Sequence, residues 1–208
     1  MDLAFLYDMF QIRIHGRGGQ GVVTAAELVA IAAFLDGNYA QAFPSFGSER
    51  MGAPVTAFCR ISDREIRLRE PITHPDALVI QDPTLLHQVD LFAGLSPAGY
   101  LLLNTSQSIH ELGVSDLTER LPADHIRTVT ATEIALQHTG RPIPNAALIG
   151  GLAALTGWVT LDAVRRAIGR KFPGRVGPAN AAAAAAVYEA IRSGRPSGIG
   201  EKSHAAAD

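Results

Sequence analysis

Apolar positions along the chain fall into short runs separated by glycine-rich and polar turns, the pattern of alternating strands and helices. Ile12 and Ile14 alternate with polar neighbours in a β-like run that stops at the glycine-rich stretch from Gly16 to Gly21. Over residues 22–35 apolar side chains cover almost the whole circumference, with Thr24 and Glu27 the only polar interruptions, which predicts a helix buried on more than one side. Asp36-Gly37-Asn38 stops it, and residues 39–43 form the next predicted strand. Residues 44–52 are too rich in turn formers for regular structure and are expected to be an ordered surface loop.

Residues 55–61 and 65–68 look like two strands around Ser62-Asp63, expected to pair antiparallel, with Arg60, Arg64, Arg67 and Arg69 on one charged face. Residues 77–80 and 100–103 are continuous apolar runs closed by polar turns, as buried parallel strands are, and 126–129 reads as a further strand. Beyond that the pattern turns helical: Asn145 is the expected cap of a helix over 146–156, Thr160 caps 161–168, and an alanine-rich helix covers 178–192. The expected fold is α/β, a Rossmann-like three-layer domain with a mixed, mostly parallel sheet and a C-terminal helical layer. Residues 1–10 read as an N-terminal extension, 11–192 as one domain, and 193–208 as a flexible or partner-contacting tail.

The chain has 208 residues, 47% of them hydrophobic, which suits one compact domain and excludes a fibrous or disordered protein. A net charge of −2 offers no positive field for nucleic acid or an anionic membrane. No run approaches the ~20 apolar residues of a membrane span. Asp2 and Asp8 without a basic lead argue against a secretory signal, so a cytoplasmic location is expected. Charged residues make up 18%, below the ~25% usual for soluble domains, a hint that part of the surface faces other protein. The single cysteine, Cys59, excludes a disulfide framework and a self-contained iron–sulfur or thiolate zinc site, and seven scattered histidines lack metal-binding spacing, so no metal site is expected.

Gly16, Gly18 and Gly21 satisfy G-x-G-x-x-G between strand and helix, where backbone N–H groups and the positive helix end receive anions. A dinucleotide site also needs a carboxylate at the end of the second strand; Phe43 runs into Pro44-Ser45, and Asp36 precedes that strand. The other phosphate loop fails because Val22, not lysine, follows Gly21. Two readings stand: the glycines only let a helix pack tightly on a strand, or the loop, with His15, Arg17 and Gln20, receives an anion or a partner chain. Ser45, Ser48, Glu49 and Arg50 lack the G-x-S-x-G context of a hydrolase, Glu49 and Arg50 can simply pair locally, and no catalytic residue is assigned.

I-R-I-H-G-R-G-G-Q-G over 12–21, together with F-P-S-F-G-S-E-R-M-G-A-P-V over 43–55, resembles the gamma subunit of the 2-oxoacid:acceptor oxidoreductases of the pyruvate:ferredoxin oxidoreductase type. A-F-C-R-I-S over 57–62, A-L-V-I-Q-D over 77–82 and N-A-A-L-I-G-G-L-A-A-L-T-G over 145–157 extend the similarity from about Gln11 to Ile191. Met51 departs from it, since many relatives carry a second arginine there, so any anion role of that loop rests on Arg50.

The resemblance implies a division of labour. Alpha and beta chains would hold thiamine diphosphate with Mg, a ferredoxin-like chain the 4Fe-4S clusters, and an NAD-linked flavoprotein could join them. The complex would oxidatively decarboxylate pyruvate, a branched-chain or an aromatic 2-oxoacid such as phenylglyoxylate to an acyl-CoA, with electrons to ferredoxin or NAD. This chain alone would bind none of those cofactors and would be inactive in isolation. Gly16, Arg17, Gly18, Gly19, Gln20 and Gly21, with Ser45, Glu49 and Arg50, are expected to face the catalytic subunits and to border coenzyme A. The alternative is an independent Rossmann-like domain that binds NAD or FAD.

Overall fold

The computed structural model describes residues 9–45 and 51–194. Its centre is a six-stranded sheet built from β1 (Met9–Arg17), β2 (Tyr39–Pro44), β3 (Pro54–Ser62), β4 (Ala77–Ile80), β5 (Tyr100–Asn104) and β6 (Ile126–Val129). The strand order is β2-β3-β1-β4-β5-β6. The four strands from β1 to β6 in that order run parallel, as expected of continuous apolar runs. Only β3 is reversed, antiparallel to both β1 and β2.

The helices are α1 (Val22–Leu35), the short α2 (Ser115–Thr118), α3 (Ala131–Thr139), α4 (Asn145–Thr156), α5 (Leu161–Lys171) and α6 (Val176–Ser193). One core lies between the sheet and α1, α3, α4, α5 and α6, taking Ile12 and Ile14 of β1, Ala57, Cys59 and Ile61 of β3 and Val79 of β4. Most of the apolar surface of α1 is buried within the chain, with the sheet on one side and α4 and α5 on others, while Phe34 stays 68% exposed. A second core covers the opposite face of β4 and β5, where Leu78, Ile80, Leu101 and Leu103 meet Leu85, Leu91 and Leu112.

The opposite face of β1 and β3 is polar and is covered by irregular chain rather than by a helix. Arg13, 8% exposed, donates to the carbonyls of Leu91 and Ala93 at 2.8 Å each. Arg60, 1% exposed, donates to the Glu70 carbonyl at 2.6 Å and to the side-chain oxygens of Gln11 and Gln41. These guanidiniums hang the loops on the sheet while satisfying carbonyls that burial would otherwise orphan.

The expected hairpin over 55–68 does not form: after β3, residues 65–68 have no regular structure. The reason is that β1 and β2 occupy both edges of β3, so no backbone groups remain for a further strand. Arg60 is accordingly buried beneath Glu70, apart from the exposed Arg67, and no single charged face exists. Asn145 is the first residue of α4 rather than its cap, which is Pro144. Thr160 does cap α5, accepting from the Ala163 N–H at 3.1 Å. α3 lies in a segment for which the sequence pattern gave no helix, and α6 continues to Ser193, the residue at which the tail was expected to begin. The tail beyond Gly194 and most of the N-terminal extension lie outside the described residues.

Candidate functional site

Connections leave β1 toward β2 on one side and β4 toward β5 on the other, so the C-terminal ends of β1 and β4 flank the crevice where α/β sheets hold their ligands. The glycine loop follows β1 and Gln81-Asp82 follows β4. The second sequence motif comes to the same place: Gly18 and Met51 form a parallel bridge, the Gly18 N–H donates to the Ala53 carbonyl at 2.9 Å, and the Gly52 N–H donates to Gly18 at 3.1 Å. Met51 stands out at the surface, 86% exposed. Ser45, also exposed, extends the β2–β3 ladder by donating its N–H to Thr56 at 2.8 Å, at the same end of the sheet. Glu49 and Arg50, like Ser48, lie outside the described residues.

The glycines divide between the two readings. A Cβ on Gly16 would stand 2.7 Å from Val22 Cγ2 and 2.9 Å from Gln20 Oε1, so here glycine serves close packing of the helix on the strand. Gly19 and Gly21 have φ of 95° and 70°, left-handed conformations that turn the chain into α1. No side chain caps that helix and no acid sits in its first turn.

Arg17 is not a free cation awaiting an anion. Its Nε lies 3.2 Å from Asp82 Oδ2, and its guanidinium donates to Thr84 Oγ1 at 2.7 Å, Gln88 Oε1 at 3.0 Å and the Gly52 carbonyl at 3.0 Å. Gln20 closes the same network: its Oε1 accepts the Arg17 N–H and its Nε2 donates to Asp82, both at 2.8 Å. Burial pushes the Asp82 carboxyl up, but hydrogen bonds from Thr84 and Gln20 and the Arg17 charge together hold it below the usual range. Arg17 and Gln20 therefore fasten the motif loops to the end of β4. Sequence reasoning missed Asp82 and Thr84; the signal was Asp82-Pro83-Thr84, where Asp82 caps a 3₁₀ turn by accepting from Thr84 N at 3.0 Å.

His15 is 6% exposed, and its Nδ1 pairs with Thr56 Oγ1 at 3.1 Å. Burial, then the charge of Arg13, lowers its pKa to about 3, so at neutral pH it is an uncharged imidazole and attracts no anion. Asp36 accepts from the N–H and hydroxyl of Thr160 at 2.7 and 2.8 Å, joining the end of α1 to the start of α5. It is not available to a ribose. Moreover β3 separates β1 from β2, so the end of β2 lies about two strand spacings, ~10 Å, from the glycine loop. The geometry of a dinucleotide site is absent there.

Residues 11–190 match the family model described as pyruvate ferredoxin/flavodoxin oxidoreductase. The chain is 47% identical to the pyruvate synthase subunit PorC of Methanothermobacter marburgensis, over 88% of this chain and 98% of that one. It is 48% identical to the pyruvate/ketoisovalerate oxidoreductases common subunit gamma of Thermococcus litoralis, over 87% and 96%. Among solved structures, the pyruvate oxidoreductase subunit PORC of Thermotoga maritima superposes with a TM-score of 0.73 at 39% identity, over 88% of this chain and 96% of that one.

Proposed function

Since the chain belongs to the pyruvate ferredoxin/flavodoxin oxidoreductase family as a gamma subunit of the 2-oxoacid oxidoreductase complex, we propose that it presents the joined glycine and 45–53 loops to the catalytic subunits and completes the coenzyme A side of their cleft. The observation that carries this reading is the knitting of the two motifs into one surface by the Gly18–Met51 bridge and the Arg17 network. Gly16 packs, Arg17 and Gln20 position the loops, and exposed Gly19 with its half-buried neighbours Gly18 and Gly21, together with Ser45, Glu49 and Arg50, makes the contact.

The reaction proposed for the complex converts a 2-oxoacid and coenzyme A to an acyl-CoA and carbon dioxide, releasing two electrons and a proton. Thiamine diphosphate with Mg on the alpha and beta chains supplies the decarboxylation chemistry, and 4Fe-4S clusters in a ferredoxin-like chain carry the electrons to ferredoxin, or to NAD where a flavoprotein is attached. This chain does not fit an iron–sulfur cluster, which needs several thiolates: its one cysteine lies fully buried in β3 with its thiol pushed up by burial. Pyruvate is the leading substrate, because the relatives above act on pyruvate or on pyruvate and ketoisovalerate by their names; branched-chain and aromatic 2-oxoacids are the other members of the class. No helix among the described residues is long and apolar enough to cross a membrane, in keeping with a cytoplasmic complex.

Hydrogen exchange on the assembled complex tests the loop assignment. Coenzyme A should slow exchange in peptides covering 16–21 and 45–53 while leaving the β5–β6 end of the sheet unchanged; loops equally labile with and without it would refute the reading.

A further inference from the structure

A cavity of about 420 Å³ lies on the polar face of β1 and β3, the face covered by irregular chain rather than by a helix. Successive side chains of a strand alternate between faces, so Ile12 and Ile14 enter the helical core while Arg13 and His15 stand on the opposite side. In the antiparallel register Arg13 lies opposite Phe58 and His15 opposite Thr56, and these four residues line the cavity together. Residues 72–74 and Asp90, Ala93 and Gly94 supply most of the remaining wall. A Cβ at Gly94 would strike the Thr73 carbonyl, so glycine lets the two covering segments close against each other.

Two of the four strand residues carry polar atoms that the chain leaves unpaired. Arg13, 8% exposed, donates through Nη2 to the carbonyls of Leu91 and Ala93, but its Nε has no hydrogen-bond partner. His15, 6% exposed, engages Thr56 through Nδ1, and its Nε2 has no partner either. Leaving such an atom buried and unpaired is costly, and two of them on neighbouring side chains of one cavity point to a bound group that pairs with both. Asp90 brings the opposite charge. It is exposed, lines the cavity, and acts on Arg13 through space without a hydrogen bond or ion pair among the described residues. The lining is therefore polar yet balanced, one guanidinium against one carboxylate, with His15 uncharged. A bare anion would be repelled by Asp90 and a bare cation by Arg13. His74, paired with Thr73 Oγ1 at 3.0 Å, also lines the cavity, and Phe58 and Ile72 add an apolar side.

We propose that this cavity binds a small α-amino acid with an apolar side chain: its carboxylate accepts from Arg13 Nε and from His15 in the tautomer protonated at Nε2, its ammonium faces Asp90, and its side chain lies against Phe58 and Ile72. An uncharged imidazole draws no anion by charge; it donates to a carboxylate oxygen that Arg13 already holds. A zwitterion complements both charges at once, which neither ion alone does. The volume is in the range of small-molecule sites, ~300–1,000 Å³. The site uses neither the glycine loop nor coenzyme A, and Ser45, which also borders the cavity, has no role in it, so it is independent of the proposed function.

The test is a titration of the ¹⁵N-labelled full chain with L-valine, with isovalerate, which lacks the ammonium, and with isobutylamine, which lacks the carboxylate. L-Valine should shift the His15 ring nitrogens and the amides of Thr73, Ala93 and Gly94 saturably, and both partial analogues should bind at least tenfold more weakly. Asp90→Asn, at an exposed position without hydrogen bonds to the described residues, should weaken L-valine at least tenfold without weakening isovalerate. No saturation by L-valine, an analogue binding as tightly as L-valine, or unchanged L-valine affinity in Asp90→Asn would each overturn the proposal.

Discussion

His15 shows how a single strand position sets a charge state. Its folded pKa of about 3 lies below the unfolded value of 6.5, so between those values the unfolded chain takes a proton that the folded chain refuses. This contribution is complete above pH 6.5 and is lost as the pH falls toward 3, by up to ~1.4 kcal/mol per pH unit. Urea unfolding at pH 7 and pH 5 should therefore show a drop about 2 kcal/mol larger in the wild type than in His15→Gln; equal drops would refute the burial argument. Cys59, sealed in β3 with its thiol pushed up, should resist thiol reagents until the chain unfolds, so labelling in native buffer at the rate seen in urea would contradict its placement. Arg17 acts through what it holds: Arg17→Ala should speed amide exchange around Gly52 and Ala53 while leaving β5 protected.

Among the elements, α4 and α6 show how small residues let helices approach. A Cβ at Gly150 would run into the Ala184 backbone of α6, where no rotamer change can relieve it. Gly150→Val should therefore cost at least the ~1–3 kcal/mol of ordinary overpacking, seen as a clearly lowered melting temperature, whereas Gly140→Ala, in open space but at φ 71°, should cost only its backbone strain. The elements themselves were largely legible. α1 follows from an apolar run broken only by Thr24 and Glu27 and closed by Asp36-Gly37, and β4 from four apolar residues ended by Gln81-Asp82. The hairpin over 55–68 was misread because alternation around a turn predicts pairing only when an edge is free, and that depends on β1 and β2. α3 escaped detection since its amphipathic signal spans just nine residues.

At the scale of the whole molecule, the chain is one subunit of a 2-oxoacid oxidoreductase complex, and the proposal places the redox groups of that complex on other subunits. Purified alone it should show no 2-oxoacid decarboxylation, and activity should appear on adding the thiamine-binding and iron–sulfur chains; turnover by the isolated chain would refute the division of labour. The low charged content hinted at a partner-facing surface; most of α1 is buried internally apart from Phe34, and Met51, 86% exposed in the motif loop, is the better place to seek that surface. The family and the two motif loops were legible because glycine turns and their flanking residues are local features. That the loops touch was not, since Gly18 and Met51 meet only through β3 returning beside β1.

The amino-acid sequence by itself determined most of the strands and helices, though neither the fate of 65–68 nor α3; it also determined where glycine must turn the chain and that one cysteine cannot carry a cluster, because periodicity, turn stereochemistry and ligand counting act over a few residues or on composition. Only the tertiary structure decided that Arg17 is spent on Asp82 and Thr84, that β3 parts β1 from β2, and that Arg13 and His15 share a cavity with Asp90. Those outcomes join groups far apart in the chain, and burial of the common core selects which of them become neighbours.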